Sequence, residues 1–296
     1  MIGATLTAPN LYYGTTMNNS NGTPSDPSNP TWNADLGSHG SISLNGATVN
    51  GTTSPNAWAD TLPPIQYPDT SSWATPSGLP PGSSIDGSGN MTLSGTWMCP
   101  AVGMKYKVET LTVTSTGILQ LQDRCEFYIA NAGDTALLVQ SGGQIRTVTN
   151  NKFWIKGSLF SRQAGSTTGG IFPVAPLLAV RKPSDLQIYI GRNSMDVAAR
   201  SEIMQVPQIR AVIYAPNSKL FVEGYSAVPT FADLTFYGAI VAALIDINVD
   251  NSKKFMFHYD ESLKGLRLDG SGTATPTCSQ SPNFNCYRVK SWQITQ

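Results

Sequence analysis

Short runs of β-branched and aromatic residues alternate with polar ones along most of this chain, and each run is cut by Gly, Asn, Asp or Pro. Alternation at a period of two puts successive side chains on opposite faces of an extended backbone. The pattern therefore predicts strands and turns, with helical periodicity nearly absent. The clearest predicted strands are 107–113, 118–121, 126–129, 136–139 and 153–155. Strands this short, at spacings of roughly 8–12 residues, are compatible with a sandwich, a barrel or a solenoid.

An internal repeat selects among these. Residues 211–224 laid over 238–251 match without a gap at an offset of 27, and apolar positions coincide at Ile213/Ile240, Ala215/Ala242, Leu220/Ile247 and Val222/Val249. A strand-bearing repeat of this length predicts stacked rungs, each burying its inward residues against the next. Two stretches interrupt the strands. Residues 62–68, with Pro76, Pro80 and Pro81 following, are too rich in proline to donate a regular ladder and read as an extended crossing between two parts of the molecule. Residues 161–170 read as a flexible loop.

Composition narrows the classes of function. The 296 residues include 27 glycines and 20 prolines, only 13% are charged, and 19 basic residues balance 19 acidic ones. This excludes a basic nucleic-acid binder, a charge-rich disordered protein and a coiled coil. The first basic residue is Lys105, and Asp26, Asp35, Asp60, Asp69 and Asp86 precede it, so the polar first hundred or so residues are acidic and the remainder basic. Such Ser/Thr/Asn/Gly/Pro composition suits secreted and cell-surface proteins. No apolar run reaches the roughly 18 residues of a membrane span. Met1–Thr5 reads as neither a signal peptide nor an anchor helix, so export would rely on a targeting segment upstream.

Four cysteines are present. Cys278 and Cys286 bracket a short polar loop, and with no Cys-x-x-Cys and only His39 and His258 as histidines, a disulfide is expected there rather than a metal site. Cys99 and Cys125 form the second expected pair. They are 26 residues apart, close to one rung, and stacked rungs lie about 4.8 Å apart, within the roughly 4.4–6.8 Å that a disulfide accepts between Cα atoms. Both pairs together point to an oxidising compartment.

The series Leu186–Gly191, then Tyr214-Ala215-Pro216-Asn217, then Phe236-Tyr237-Gly238-Ala239-Ile240-Val241, then Phe257-His258-Tyr259-Asp260-Glu261-Ser262-Leu263 resembles the C-terminal β-solenoid domain of bacterial pilus-assembly proteins of the PilX type. Residues 37–51 are similar to the Gly/Asn-rich rungs that precede a Pro-rich crossing in the same family. The resemblance implies a solenoid fold and a pilus-associated or cell-surface location, and it supplies no reaction.

Candidate chemistry is thin. His258 and Asp260 would share one face of a strand, with Tyr259 and Glu261 on the other, and two ligands are too few for zinc. The cluster reads as a polar turn closing the last rung. Acids are scattered at Asp233, Asp246, Asp250, Asp260, Glu261 and Asp269, with Asp246 and Asp250 able to share a face, which leaves a carbohydrate-cleaving β-helix as a distant alternative. No Gly-x-Ser-x-Gly elbow or phosphate-binding Gly-rich loop occurs. Aromatic residues in the polar front, Tyr12, Tyr13, Trp32, Trp58, Tyr67 and Trp73, would clamp the Pro-rich crossing onto the solenoid or stack on sugars.

The expectation is an all-β, right-handed parallel β-solenoid. Residues 1–104 would supply polar rungs and the crossing, 105–270 the main solenoid, and 271–296 a C-terminal disulfide loop and closing strand. Its expected role is a non-catalytic extracellular structural or adhesive module that requires no cofactor or metal. Expected partners are pilus or cell-surface proteins, or itself as a fibre subunit, with glycans as a further ligand class.

Overall fold

A computed structural model describes residues 64–163, 168–174, 182–193, 200–204, 208–224, 234–249 and 255–258, together with short strands before residue 55. Those early strands are Thr7–Tyr13 (β1), Met17–Asn18 (β2), Thr31–Ser38 (β3), Ile42–Ser43 (β4), Thr48–Val49 (β5) and Thr53–Ser54 (β6). They pair in parallel, β3 with β1, β5 and β6, and β2 with β4.

From Ser84 onward the chain forms a strongly curled, mostly parallel sheet, a half-barrel, with a smaller parallel sheet beside it. Three sides can be followed. Side A stacks Lys105–Val108 (β10), Glu126–Ile129 (β13), Asn151–Ile155 (β16) and Leu186–Ile190 (β19). Side B stacks Met91–Leu93 (β8), Leu111–Val113 (β11), Leu137–Val139 (β14), Leu159–Arg162 (β17) and Ser201–Met204 (β20), with the antiparallel Ser84–Ile85 (β7) on the edge of β8. Side C is the smaller sheet, Thr96–Met98 (β9), Ile118–Gln120 (β12), Gln144–Thr147 (β15) and Gly170–Pro173 (β18).

Two long strands follow, Ile209–Gly224 (β21) and Leu234–Val249 (β22). Each runs along side A and then bends into side B, and Phe255–His258 (β23) returns to side A. Among the described residues there is no α-helix, only a short 3-10 turn at Pro183–Asp185.

The core follows from alternation. Tyr106, Phe127, Phe153, Ile188 and Ile213 stand in register on the inner face of side A, with Val108, Ile129, Ile155 and Ile190 beside them, all buried. Trp97, Leu119, Ile145 and Ile171 do the same on side C, and Leu93, Val113 and Val139 on side B. Aromatic rings stack between rows, Phe127 on Phe153 at 5.8 Å with Tyr106 5.4 Å from Phe127. Burial of a sheet on both faces is what near-continuous apolar strands specify.

Corners set the sides apart. The strand expected over 107–113 is two strands, because Val108 and Leu111 both point inward and an odd interval of three cannot be spanned by one flat strand. Gly117 sits at another corner, where a Cβ would run into the Leu93 carbonyl of the preceding row. Asn151 serves the C-to-A corner. Its buried side chain donates to the Gln122 and Cys125 carbonyls at 2.7 and 3.3 Å and accepts from the Val148 N–H at 2.7 Å.

The repeat of 27 is present on side A, where Ala211 pairs with Gly238, Ile213 with Ile240 and Ala215 with Ala242. On side B the expected Leu220/Ile247 and Val222/Val249 pairs are corrected to Leu220/Ile245 and Val222/Ile247. β21 spends two more residues than β22 on the bend, and a slip of two keeps every side chain on its face. The flexible loop expected at 161–170 is also corrected at its ends. Ser161 and Arg162 belong to β17, Gly170 begins β18, and buried Gln163 donates to the Val139 and Gln140 carbonyls.

Candidate functional site

Side A carries the most differentiated surface. One line of outward residues runs across its rows through Lys107, Tyr128, Trp154, Tyr189 and Tyr214 to Val241. The four aromatic side chains form a second apolar cluster outside the sheet, and all four are buried. Trp154 lies flat on Tyr189, with ring centroids 4.1 Å apart and planes within 9°. The Tyr189 hydroxyl donates to Gln187 at 2.6 Å, and the Trp154 indole N–H to Glu126 at 2.9 Å. Each polar edge is thus satisfied where the ring is buried.

The Pro-rich crossing covers this ladder. Tyr67 and Trp73 meet Tyr128 edge-on, at 5.9 and 6.2 Å, and Ile65 packs with them. The Tyr67 hydroxyl donates to the Ile155 carbonyl at 3.4 Å, and burial raises this phenol to about 12. Ala74 then bridges to Tyr106 as a short parallel extension of β10, and Ser77 accepts from the Trp97 indole at 3.0 Å. Ser83 and Ser94 exchange hydrogen bonds before β7 pairs with β8. Residues 65–85 therefore run down side A and over the edges of the first row. Of the clamping aromatics expected, Tyr67 and Trp73 act in this way; Tyr12, Tyr13, Trp32 and Trp58 carry no described side chain.

Lysines border the ladder. Lys105 lies 5.5 Å over Trp73, Lys152 5.6 Å over Trp154 and Lys156 5.8 Å over Tyr128, while Lys105 also pairs with Glu126 at 3.6 Å. Side B has a different polar feature. Glu202, 2% exposed, receives Arg162 through two bonds of 2.8 and 2.9 Å and Arg200 at 3.2 Å. Arg200 stacks on Phe221 at 4.0 Å, and Arg162 on Phe160 at 5.1 Å. Nothing in the sequence flagged this cluster, because Arg162 lies 40 residues from Glu202, inside the stretch expected as a loop.

The motif residues separate by face. Tyr214 belongs to the aromatic ladder, Ala215 points inward, and Pro216 and Asn217 form the bend of β21. Tyr237 points outward beneath Arg210 at 4.3 Å. Gly238 has φ +139°, and a Cβ there would run into the Ala211 carbonyl. His258 ends β23 in register with Tyr237. Tyr259, Asp260, Glu261, Cys278 and Cys286 lie outside the described residues, as does His39. Asp246 pairs with Phe221 along the backbone.

Cys99 and Cys125 are buried free thiols, so the expected disulfide is corrected: the two sulfurs are not at bonding distance in this structure. They are not stacked equivalents either. Met98 pairs with Gln120 and Lys105 with Glu126, so Leu121 follows Cys99 in the next row, and Cys125 follows Met104. They flank the C-to-A corner, where Cys99 donates to the Ala101 carbonyl at 3.4 Å. Among the described residues no group of three or more His, Cys, Asp or Glu side chains could hold a metal ion, and no helix is long and apolar enough to cross a membrane.

Residues 131–266 match the model of a family described as a domain of unknown function, DUF7305. The matched stretch begins at the corner after β13 and takes in every later row described. No curated protein and no solved structure matches the chain.

Proposed function

We propose that this chain is a right-handed parallel β-solenoid that serves as a non-catalytic structural or adhesive module at the cell surface or on a pilus. The observation that carries the reading is the in-register return of the chain to the same sides. On side A the succession is Lys105, Glu126, Lys152, Gln187, Val212 and Ala239, all in parallel pairs. Parallel crossovers are right-handed almost without exception, which supplies the hand. A stack of this kind fills its inside with side chains and leaves its outer sides free to differ, which suits a scaffold that presents surface. The resemblance to PilX-type pilus-assembly proteins and the low-charge, Gly/Pro-rich composition support the location.

The module acts as a discrete unit in this reading, and the cover over its first row supports that. Open strand edges are templates for pairing with another copy, and β7, Ala74 and the Ser83–Ser94 exchange occupy the edges of β8 and β10. Location is tested by immunogold labelling and surface proteolysis of intact producing cells. Label on the envelope or along pili is expected, and label confined to the cytosol overturns the reading. Size-exclusion chromatography with electron microscopy tests the unit itself, since concentration-dependent filaments would favour a fibre subunit instead.

A further inference from the structure

We propose that side A is a docking groove for residues 64–76 of a second copy of this chain, and that the chain's own crossing is the occupant that keeps the groove closed. The groove offers three separate features. Gly191 and the Ile155 carbonyl form a socket for Tyr67, whose hydroxyl donates to that carbonyl and lies where a Cβ on Gly191 would stand. Tyr128 and Lys105 receive the Trp73 ring. The edge of β10 takes backbone, since Ala74 donates to the Lys105 carbonyl at 3.0 Å and accepts from the Lys107 N–H at 2.9 Å. Strand-edge pairing combined with side-chain sockets is a general way to recognise an extended peptide. Lys105, Lys152 and Lys156 border these features, and the segment that fills them carries one acid, Asp69, and no base.

The occupant is held in a way that lets it leave. Every residue from Pro64 to Thr75 is exposed or half-buried, over Tyr128 and Trp154, which are buried. The segment carries its own turn, because Asp69 accepts from the Ser71 N–H and hydroxyl at 2.9 and 3.1 Å and the Trp73 N–H donates to the Thr70 carbonyl at 3.1 Å. Residues 77–82 then join it to the first row, with Gly78 and Gly82 at φ +64° and +81° and open space where a Gly78 Cβ would stand. A shallowly buried segment with an internal turn and a glycine hinge can pass to a neighbour without unmaking the rows beneath it. Reciprocal exchange closes a pair and stops there, so the proposed module gains a partner and does not become a filament.

The test titrates the full chain into a fluorescently labelled synthetic peptide of residues 64–76 and follows its anisotropy. The chain's own crossing competes at high effective concentration, so wild type should bind weakly. Trp73→Ala in the chain loosens that competitor and should tighten binding of the wild-type peptide about tenfold, because a larger fraction of the groove is open. Adding Gly191→Ala, which crowds the Tyr67 socket, should reverse the gain, and a peptide carrying Trp73→Ala should bind neither chain. Should Trp73→Ala fail to fold, Tyr67→Ala in the chain loosens the same segment and should tighten binding likewise. Equal binding by the wild-type and loosened chains overturns the inference, as does a gain that survives Gly191→Ala. Native mass spectrometry of mixed isotope-labelled and unlabelled wild-type chains, concentrated and warmed to just below their melt, tests the second copy as donor. Mixed pairs are expected, and excess wild-type peptide should dissolve them where the Trp73→Ala peptide does not. Pairs indifferent to the peptide, or chains that stay single throughout, overturn the second copy as occupant. Neither readout depends on location, so label confined to the cytosol would sink the proposed function and leave this result standing.

Discussion

Sides A and C are built on the same inner pattern and differ almost entirely on the outside. Inward, both present one large apolar residue per row, Phe127 and Phe153 on side A, Leu119 and Ile145 on side C. Outward, side C shows Thr96, Met98, Gln120, Gln144 and Arg146, exposed or half-buried, with Met98 47% exposed. Side A shows Tyr128, Trp154, Tyr189 and Tyr214, none more than 6% exposed, because a second layer lies over them. Among the described residues side C has four strands, whereas side A continues through β21, β22 and β23. The inward residues specify a stack, and the outward ones decide which side is roofed.

The sharpest way to break this comparison is to empty the roofed side. Trp154→Ala removes a ring stacked on Tyr189 and held by Glu126, and should cost about 3–5 kcal/mol, the range for truncating a buried aromatic. Gln120→Ala, outward on side C, should stay within about 0.5 kcal/mol of wild type. Urea melts of the two variants measure both. Equal losses would mean that the outer layer on side A contributes nothing beyond ordinary surface.

How much of this was legible in the sequence also divides by side. Alternation marked the inward residues, and the Ala211/Gly238 repeat marked two rows of side A in correct register. The corners were less legible, since Glu109 and Thr110 turn the chain without Gly or Pro and the bend at Pro216–Ser218 absorbs two residues that an ungapped alignment cannot see. The aromatic ladder was hidden by variable row length. Successive outward positions on side A are 21 residues apart from Lys105 to Glu126 and 35 from Lys152 to Gln187, so no fixed period collects them. Tyr67 and Trp73, by contrast, stood out as aromatics in a polar, Pro-rich segment. The Arg162–Glu202–Arg200 cluster was half hidden, because Arg200 and Glu202 are sequence neighbours while Arg162 joins them from 40 residues upstream.

The seating of the later rows of side A can be tested at Gly238. Its φ of +139° and its close approach to the Ala211 carbonyl seat β22 on β21, so Gly238→Ala should cost about 1–3 kcal/mol through backbone strain. The loss should appear first as faster amide exchange in β22, with the β10–β13–β16 rows still protected. Uniform deprotection of all rows would instead mean that side A unfolds as one unit.

The roof itself is probed by Trp73→Ala, which removes the edge-on contact with Tyr128 and the cation contact from Lys105, for about 1–2 kcal/mol. Limited proteolysis should then cut within residues 65–76 while side C remains intact. Cleavage confined to the turns of side C would contradict the roofing.

The smallest effect is at Tyr67, and it is visible only in alkali. Its bond to the Ile155 carbonyl is long, so Tyr67→Phe should cost less than about 1 kcal/mol at neutral pH. Burial nevertheless raises the phenol from 10.0 to about 12 in the folded protein. The unfolded chain ionises first as pH rises, so the stability linked to this group is fully present below pH 10 and is lost between about 10 and 12. Tyr106, raised to about 12 mainly by its own burial, loses stability over the same window and is untouched by the substitution. Wild type should therefore lose more melting temperature than Tyr67→Phe on passing from pH 10 to 12, while both still decline. Parallel curves would mean that Tyr67 meets water in the folded protein, and that the roof over side A does not close on the third and fourth rows.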